Sequence, residues 1–226
     1  MSYLNILAEW SNVNSGFLSL VLFIVTIFLG WISGVFNSLR RKPLLKIEIL
    51  SGPSFCASFD TGRVYNNHQM HRTVISVYLS IKNIGLAPTD IEYIHVGYKC
   101  KAFINPFKWL WIYQLTACKT DFIMSLGEDR KVYPFLMQKN QYIDNSTVTY
   151  LREGQKCNGV VYFEQDELFD NYIPSIVNNI MNIKLLIKDV YGRKYSTVGF
   201  IPKVTIEAAR KVCEKFGETR ESLLDQ

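Results

Sequence analysis

No lysine or arginine precedes residue 40, and no charged residue of either sign lies between Ser11 and Leu39. The first absence excludes the basic start of a cleaved secretory signal. The second excludes a solvated helix, which needs a polar face. Cysteine is sparse and irregular: Cys56, Cys100, Cys118, Cys157 and Cys213 are odd in number and lack any CxxC spacing. That excludes the even disulfide framework of a small secreted domain and a paired-cysteine metal site. Scattered cysteines of this kind are expected to be small buried hydrophobes. There is no glycine-rich phosphate loop, no GxSxG and no HExxH. His68 and His71 have a spacing that can share a metal, but they sit in the polar stretch GRVYNNHQMHR without a third ligand, and a solvated loop is expected. Adjacent acids, Glu128–Asp129 and Asp166–Glu167, read as turn and helix-start residues. The chain is therefore expected to be non-enzymatic, with no cofactor and no metal.

What is present begins with FLSLVLFIVTIFLGWISGVF, Phe17 to Phe36. Twenty helical residues span about 30 Å, the thickness of a bilayer's hydrocarbon core. A transmembrane helix is expected over 17–39, uncleaved, after a short N-terminus, 1–16. Trp10 and Trp31 lie near its two ends, where indoles anchor at the interface. Basic residues mark the cytoplasmic flank, and all of them follow the span: Arg40, Arg41, Lys42 and Lys46. The expected localisation is the inner (cytoplasmic) membrane, single-pass, N-terminus out and the remainder cytoplasmic, with the bilayer as partner. Gly30 and Gly34 form a GxxxG pair, a spacing that lets two spans approach and form a homo-oligomer.

After the basic flank, 40–43, the pattern changes. LLKIEIL, TVISVYLSIKN, DIEYIHVGYKC, STVTYL, NGVVYFE, NIKLLIKD and RKYSTVGF alternate apolar and polar residues, with Gly, Asn, Asp and Pro between them. Ile75, Val77, Leu79 and Ile81 share one face of the clearest strand. Period-2 alternation at this spacing predicts an antiparallel β-sandwich over 44–202. No helix of crossover length separates the strands, which excludes a parallel sheet. Three stretches, VYLSIKNIGLAPTDIEYIHV, YLREGQKCNGVVYFEQ and IKLLIKDVYGRKY, resemble the immunoglobulin-like β-sandwich modules of small bacterial single-span membrane or envelope proteins. The resemblance rests on turn chemistry and core alternation, so it implies fold and little about function. The expected architecture is membrane-anchored all-β: one N-terminal transmembrane helix, an antiparallel immunoglobulin-like sandwich and a C-terminal helix over 203–226.

Two regions break the alternation. FINPFKWLWIYQLTA, 103–117, is dense in aromatics, and Trp109, Trp111 and Tyr113 share one strand face. It is either a bulky core strand or an exposed patch, with Phe107, Trp109 and Trp111, that meets a partner or the membrane. DELFDNYIPSIVNNIMN, 166–182, reads as a helical turn or two interrupted at Pro174. In the tail, Thr205 caps a helix whose Ile206, Ala209, Cys213 and Phe216 form a stripe, set either against its own domain or against a partner. Net charge is +5 and three of those charges are the flank, so nucleic acid is not an expected partner. Two functions fit. One is a bitopic protein whose β domain is a partner-binding, sensing or scaffold module with an unknown protein partner. The alternative is an assembling effector, similar in layout to bacterial antiphage membrane effectors in which a β-rich sensor triggers clustering of the spans.

Overall fold

The computed structural model describes residues 3–35, 41–102, 108–126, 128–137, 146–167 and 172–218. They fall into two units, Met1–Lys42 and Pro43–Gln226. The first holds two helices, α1 (Tyr3–Val13) and α2 (Ser15–Ile32), meeting at Asn14. Eighteen residues of α2 span about 27 Å, and no residue of it is buried against protein. Its hydroxyls are satisfied within the helix: Ser19 Oγ donates to Ser15 O at 2.8 Å and Thr26 Oγ1 to Leu22 O at 2.7 Å. A hydroxyl so bonded exposes no unpaired donor to an apolar surrounding. The helix is long and apolar enough to cross a membrane; of the 17–39 expected, residues 36–39 lie outside the described residues. It stops because Gly34 takes a φ of +75°, outside the helical region. Residues 36–40, with Arg40 among them, lie outside the described residues.

The second unit is built on one long strand. β3 (His68–Asn83) carries β10 (Lys156–Glu167) along one edge. Along the other edge lie β1 (Leu45–Ile49) and then β2 (Phe55–Tyr65), end to end. Two short strands, β8 (Phe135–Leu136) and β9 (Ser146–Thr147), extend this first sheet beyond β10. Both add in parallel, a departure from the purely antiparallel pattern expected. The second sheet runs β13 (Lys194–Pro202), β12 (Ile180–Asp189), β4 (Ile91–Tyr98), β5 (Leu110–Ile112), with β11 (Ile176–Val177) in a hairpin with β12. The inward faces meet in one core. Ile75, Val77, Leu79, Ile81, Val161 and Phe163 pack with Ile94, Val96, Ile183, Leu185 and Ile187. Each such side chain contributes about 1.5–3 kcal/mol by leaving water. The expected core face of β3 is therefore correct.

The outward face of the first sheet is buried too. A hairpin, β6 (Phe122–Leu126) with β7 (Asp129–Tyr133), and the C-terminal segment cover it. Phe122, Phe135, Tyr162 and Phe216 meet edge to face at 5.3–6.3 Å. Thr205 caps the C-terminal helix as expected, its Oγ1 accepting from Ala208 N at 3.3 Å. That helix, α3 (Ile206–Arg210), is only five residues, not 203–226. Turns follow to Gly217, whose φ of +80° ends the run. Ala209, Cys213 and Phe216 are buried on the chain's own domain. Leu223 and Leu224 lie outside the described residues.

Three buried polar residues hold the turns. Asn83, in the NIG turn, accepts from Leu44 N and Gly85 N and donates to Ala87 O and Leu151 O. Asp189, in the DVYG hairpin, accepts from Tyr191 N, Arg193 N and the Tyr195 hydroxyl. Arg72 grips both oxygens of Asp166 at 2.6 and 3.1 Å and donates to Gly217 O at 2.7 Å.

Two expectations fail. The stretch around His68 and His71 is not a loop but the tip of the β2–β3 hairpin, and the two histidines lie on opposite faces of β3. The 166–182 segment is mostly not helical: Tyr172, just before Pro174, is in a 3₁₀ turn, residues 168–171 lie outside the described residues, and the rest is strand and turn. Asp166 and Glu167 end β10, and Ile176–Met181 is a tight hairpin. Both hairpins turn on an Asn pair with positive φ, Asn66–Asn67 and Asn178–Asn179, the backbone of a type I′ turn.

Candidate binding surface

The two sheets are covered unequally. The outer face of the first lies under β6–β7 and α3, whereas among the described residues nothing lies over the outer face of the second. On β4 the alternation that sends Ile94, Val96 and Tyr98 inward sends Tyr93, His95 and Gly97 outward, with Lys99 next in phase just past the strand's end. Strand register then sets their neighbours. Lys184 lies opposite Gly97, Leu186 opposite His95 and Lys188 opposite Tyr93. On the far side of β12, Val198, Ser196 and Lys194 complete the same rows.

The aromatic residues form a chain across this face. Tyr93 and His95 stack with centroids 4.1 Å apart at 7°. His95 meets Tyr113 edge-on at 5.0 Å. Trp111 lies over Gly97, where a Cβ would come within 3.0 Å of the indole, so only glycine lets the ring lie this close to β4. Lys99 Nζ sits 4.1 Å from the Trp109 ring, and Lys188 Nζ sits 5.3 Å from Tyr93 while pairing with Glu92 at 2.9 Å. Cation–π contacts at exposed positions contribute about 0.5–1 kcal/mol each. Burial, and then Lys194, push the His95 imidazole below its usual range, which suits a neutral ring in the stack. Burial, and then Lys184, lower the Lys99 ammonium. Val198 and Phe200 extend the patch along β13, Phe200 being 69% exposed.

A cleft of about 750 Å³ adjoins the patch, lined by Trp111, Tyr113, Gln114, Thr116, Glu164 and Asp166. Its walls are the segment after β5 and the end of β10, tied by Glu164 N donating to Thr116 Oγ1 at 3.0 Å. Both acids have structural partners, Glu164 the Tyr162 hydroxyl and Asp166 the Arg72 guanidinium. Burial pushes the Tyr162 hydroxyl well up, so it stays a donor. These contacts brace the end of β10. No group of three or more His, Cys, Asp or Glu side chains with metal-binding geometry occurs among the described residues.

The residues singled out from sequence separate accordingly. In the aromatic segment the core members are Leu110 and Ile112, and Trp111 lies half-buried on the outer face, with Tyr113 exposed. Phe107 lies outside the described residues. Trp10 is on α1 and Trp31 in the last turn of α2, both exposed. Gly30 is in α2, but Gly34 lies past its end, so the two glycines do not share one helical face. Arg41 and Lys42 are exposed and irregular. Lys46 is on the exposed face of β1, 2.7 Å from Glu48, whose carboxyl it holds below the usual range. Tyr93, His95, Lys99, Lys184, Lys188 and Lys194 were missed. The phase of DIEYIHVGYKC carries the β4 set, since its apolar positions assign Tyr93, His95 and Lys99 to the other face.

No family model matches the chain, and no curated protein matches it. Among solved structures, a crystal structure described as an ApaA protein from Bordetella pertussis matches at 7% identity with a TM-score of 0.28, covering 72% of this chain and 96% of that one. A second structural-genomics X-ray structure matches at 7% identity with a TM-score of 0.24, covering 71% and 85%. Likeness at this level carries no argument about fold or activity.

Proposed function

We propose that the chain is a non-enzymatic, single-span protein of the inner (cytoplasmic) membrane whose β domain, an immunoglobulin-like module, docks an acidic segment of a partner protein on the outer face of its second sheet. The observation that carries this reading is the unequal covering of the sheets. One outer face is sealed by a dedicated layer, and the other leaves aromatics and lysines uncovered. Large rigid rings supply contact area at low entropic cost, and lysines select an acidic partner. The immunoglobulin-like assignment is supported by the turn motifs around Asn83, Gly154 and Asp189, and the anchor by the length and composition of α2. With all flanking cations after the span, the β domain is on the cytoplasmic side.

The test uses the full chain in phosphatidylcholine nanodiscs, with Trp10 and Trp31 replaced by Phe so that fluorescence reports Trp109 and Trp111. A Glu/Tyr-rich peptide should shift the emission and bind more weakly as salt rises. The Lys184→Glu, Lys188→Glu double variant should weaken binding at least tenfold. Equal binding by the variant overturns the proposal. So does a response confined to phosphatidylserine nanodiscs or to oligo-dT, which would make lipid or nucleic acid the ligand.

A further inference from the structure

Five cysteines are all buried, and two of them touch. Cys118, between β5 and β6, and Cys213, just after α3, are 95 residues apart in sequence with their Sγ atoms 3.3 Å apart. Cys56 and Cys157 behave as inert core thiols. Burial pushes Cys56 up to about 12 and Cys157 up to about 11. Cys213 differs because its sulfur sits among polar groups, touching the Cys118 thiol and the Thr120 hydroxyl at 3.3 Å each and lying 3.7 Å from the Thr120 carbonyl, to which its S–H donates. The Cys118 thiol comes first, then the Thr120 hydroxyl at 3.3 Å and the Lys215 backbone NH, and together they hold it below its ordinary range despite burial. The same contact raises Cys118. Thr120 also lines a surface cleft of about 510 Å³, in which Lys119, Arg130, Arg210 and Lys211 outnumber Asp121 and Glu214, so the residue that touches the Cys213 sulfur also faces this cleft.

We propose that Cys118 and Cys213 are an oxidisable dithiol, closed to a disulfide by a small hydroperoxide that enters from this basic cleft. The Cys213 thiolate attacks one peroxide oxygen. The O–O bond breaks and the leaving oxygen takes a proton from solvent, giving an alcohol or water and a Cys213 sulfenic acid. The Cys118 sulfur then attacks the Cys213 sulfur. The S–S bond forms, the S–O bond breaks, and the departing hydroxide takes the Cys118 proton as water. Two thiols lose two electrons and the peroxide gains them. The cross-link ties the strand-connecting segment at Cys118 to the stretch that ends at Gly217, whose carbonyl holds Arg72. Oxidation thus staples the segment leading into the covering hairpin to the C-terminal segment beside it.

The experiment treats the full chain in nanodiscs with hydrogen peroxide, then denatures it and labels thiols with a maleimide polymer. Three labels rather than five are expected, with five restored by dithiothreitol. A non-reduced digest should yield one peptide joining Cys118 to Cys213, and the β domain's melting temperature should rise by about 5–10 °C. Five labels after peroxide overturn the proposal, as do a disulfide joining other cysteines or two chains, or sulfinic acid on Cys213 with Cys118 still labelled. Peptide mapping of the unmutated chain makes the outcome independent of whether a Cys118→Ser variant folds.

Discussion

Arg72 shows what one residue does in this domain. Its guanidinium is fully buried, yet each described partner is an acceptor from a different segment: Asp166 on β10 and the Gly217 carbonyl after α3. Removing one member of a buried pair leaves the other charge unpaired, which costs about 3–5 kcal/mol. Asp166 keeps some solvent access, so Arg72→Met should cost about 2–4 kcal/mol in urea unfolding of residues 43–226. An unchanged midpoint would mean that the pair contributes no net stability. Glu167 behaves oppositely. Burial, opposed by the bond from the Tyr98 hydroxyl, raises its carboxyl. A raised acid stabilises the fold fully below its unfolded value, and that stabilisation is lost as pH rises through the folded value. Glu167→Gln keeps an acceptor for Tyr98 without the charge. It should melt higher than wild type at pH 7 and lose that advantage near pH 4. A constant difference across that range would assign the effect to packing.

Among the elements, the hairpins carry the sharpest tests. A type I′ turn needs positive φ at both central residues, which asparagine tolerates and β-branched residues do not. Asn178→Val or Asn179→Val should cost about 1–2 kcal/mol, while Asn179→Gly should be near neutral. Equal costs for Val and Gly would remove backbone strain as the reason. Leu79→Asp places a carboxylate in the core shared by both sheets and should leave residues 43–226 unfolded at room temperature, read by circular dichroism. The same elements explain what was legible. β1, β4, β12 and β13 show in sequence because one face is open to solvent, so apolar residues alternate, and the second half of β3 shows because the residues on its covered face are Ser and Tyr. The outer half of β2, from Asp60, and the tip of β3 extend past the core, and their sequence there is mostly polar, which leaves no period to read. On the first sheet a second layer buries the other face as well, so Val74, Ser76 and Tyr78 look solvent-facing by phase although β6–β7 and α3 lie over them. Of the binding surface, Trp109, Trp111 and Tyr113 were readable because they alternate at every second position along β5 and its two flanking residues. Lys99, Lys184, Lys188 and Lys194 come from three strands up to 95 positions apart, and only register brings them together.

For the whole molecule, the proposed orientation across a membrane bears on how the proposed cysteine pair would be used. In a reducing cytoplasm Cys118 and Cys213 rest as thiols and close only under peroxide stress, whereas in an oxidising compartment they would be joined permanently. The expected orientation follows from charge alone: Glu9 is the single charge before the span, and the cations follow it. Alkaline phosphatase and a fluorescent protein, each fused to the C-terminus in a bacterial host, should give fluorescence without phosphatase activity. The native cysteines give an internal check in the same cells. Thiols trapped by acid quench before lysis should number five in unstressed cells and three after a peroxide pulse. Phosphatase activity together with three thiols at rest would place the β domain outside and make the disulfide a structural staple. Fluorescence together with three thiols at rest would mean the pair is oxidised even in a reducing compartment, which the basic cleft beside Thr120 does not explain.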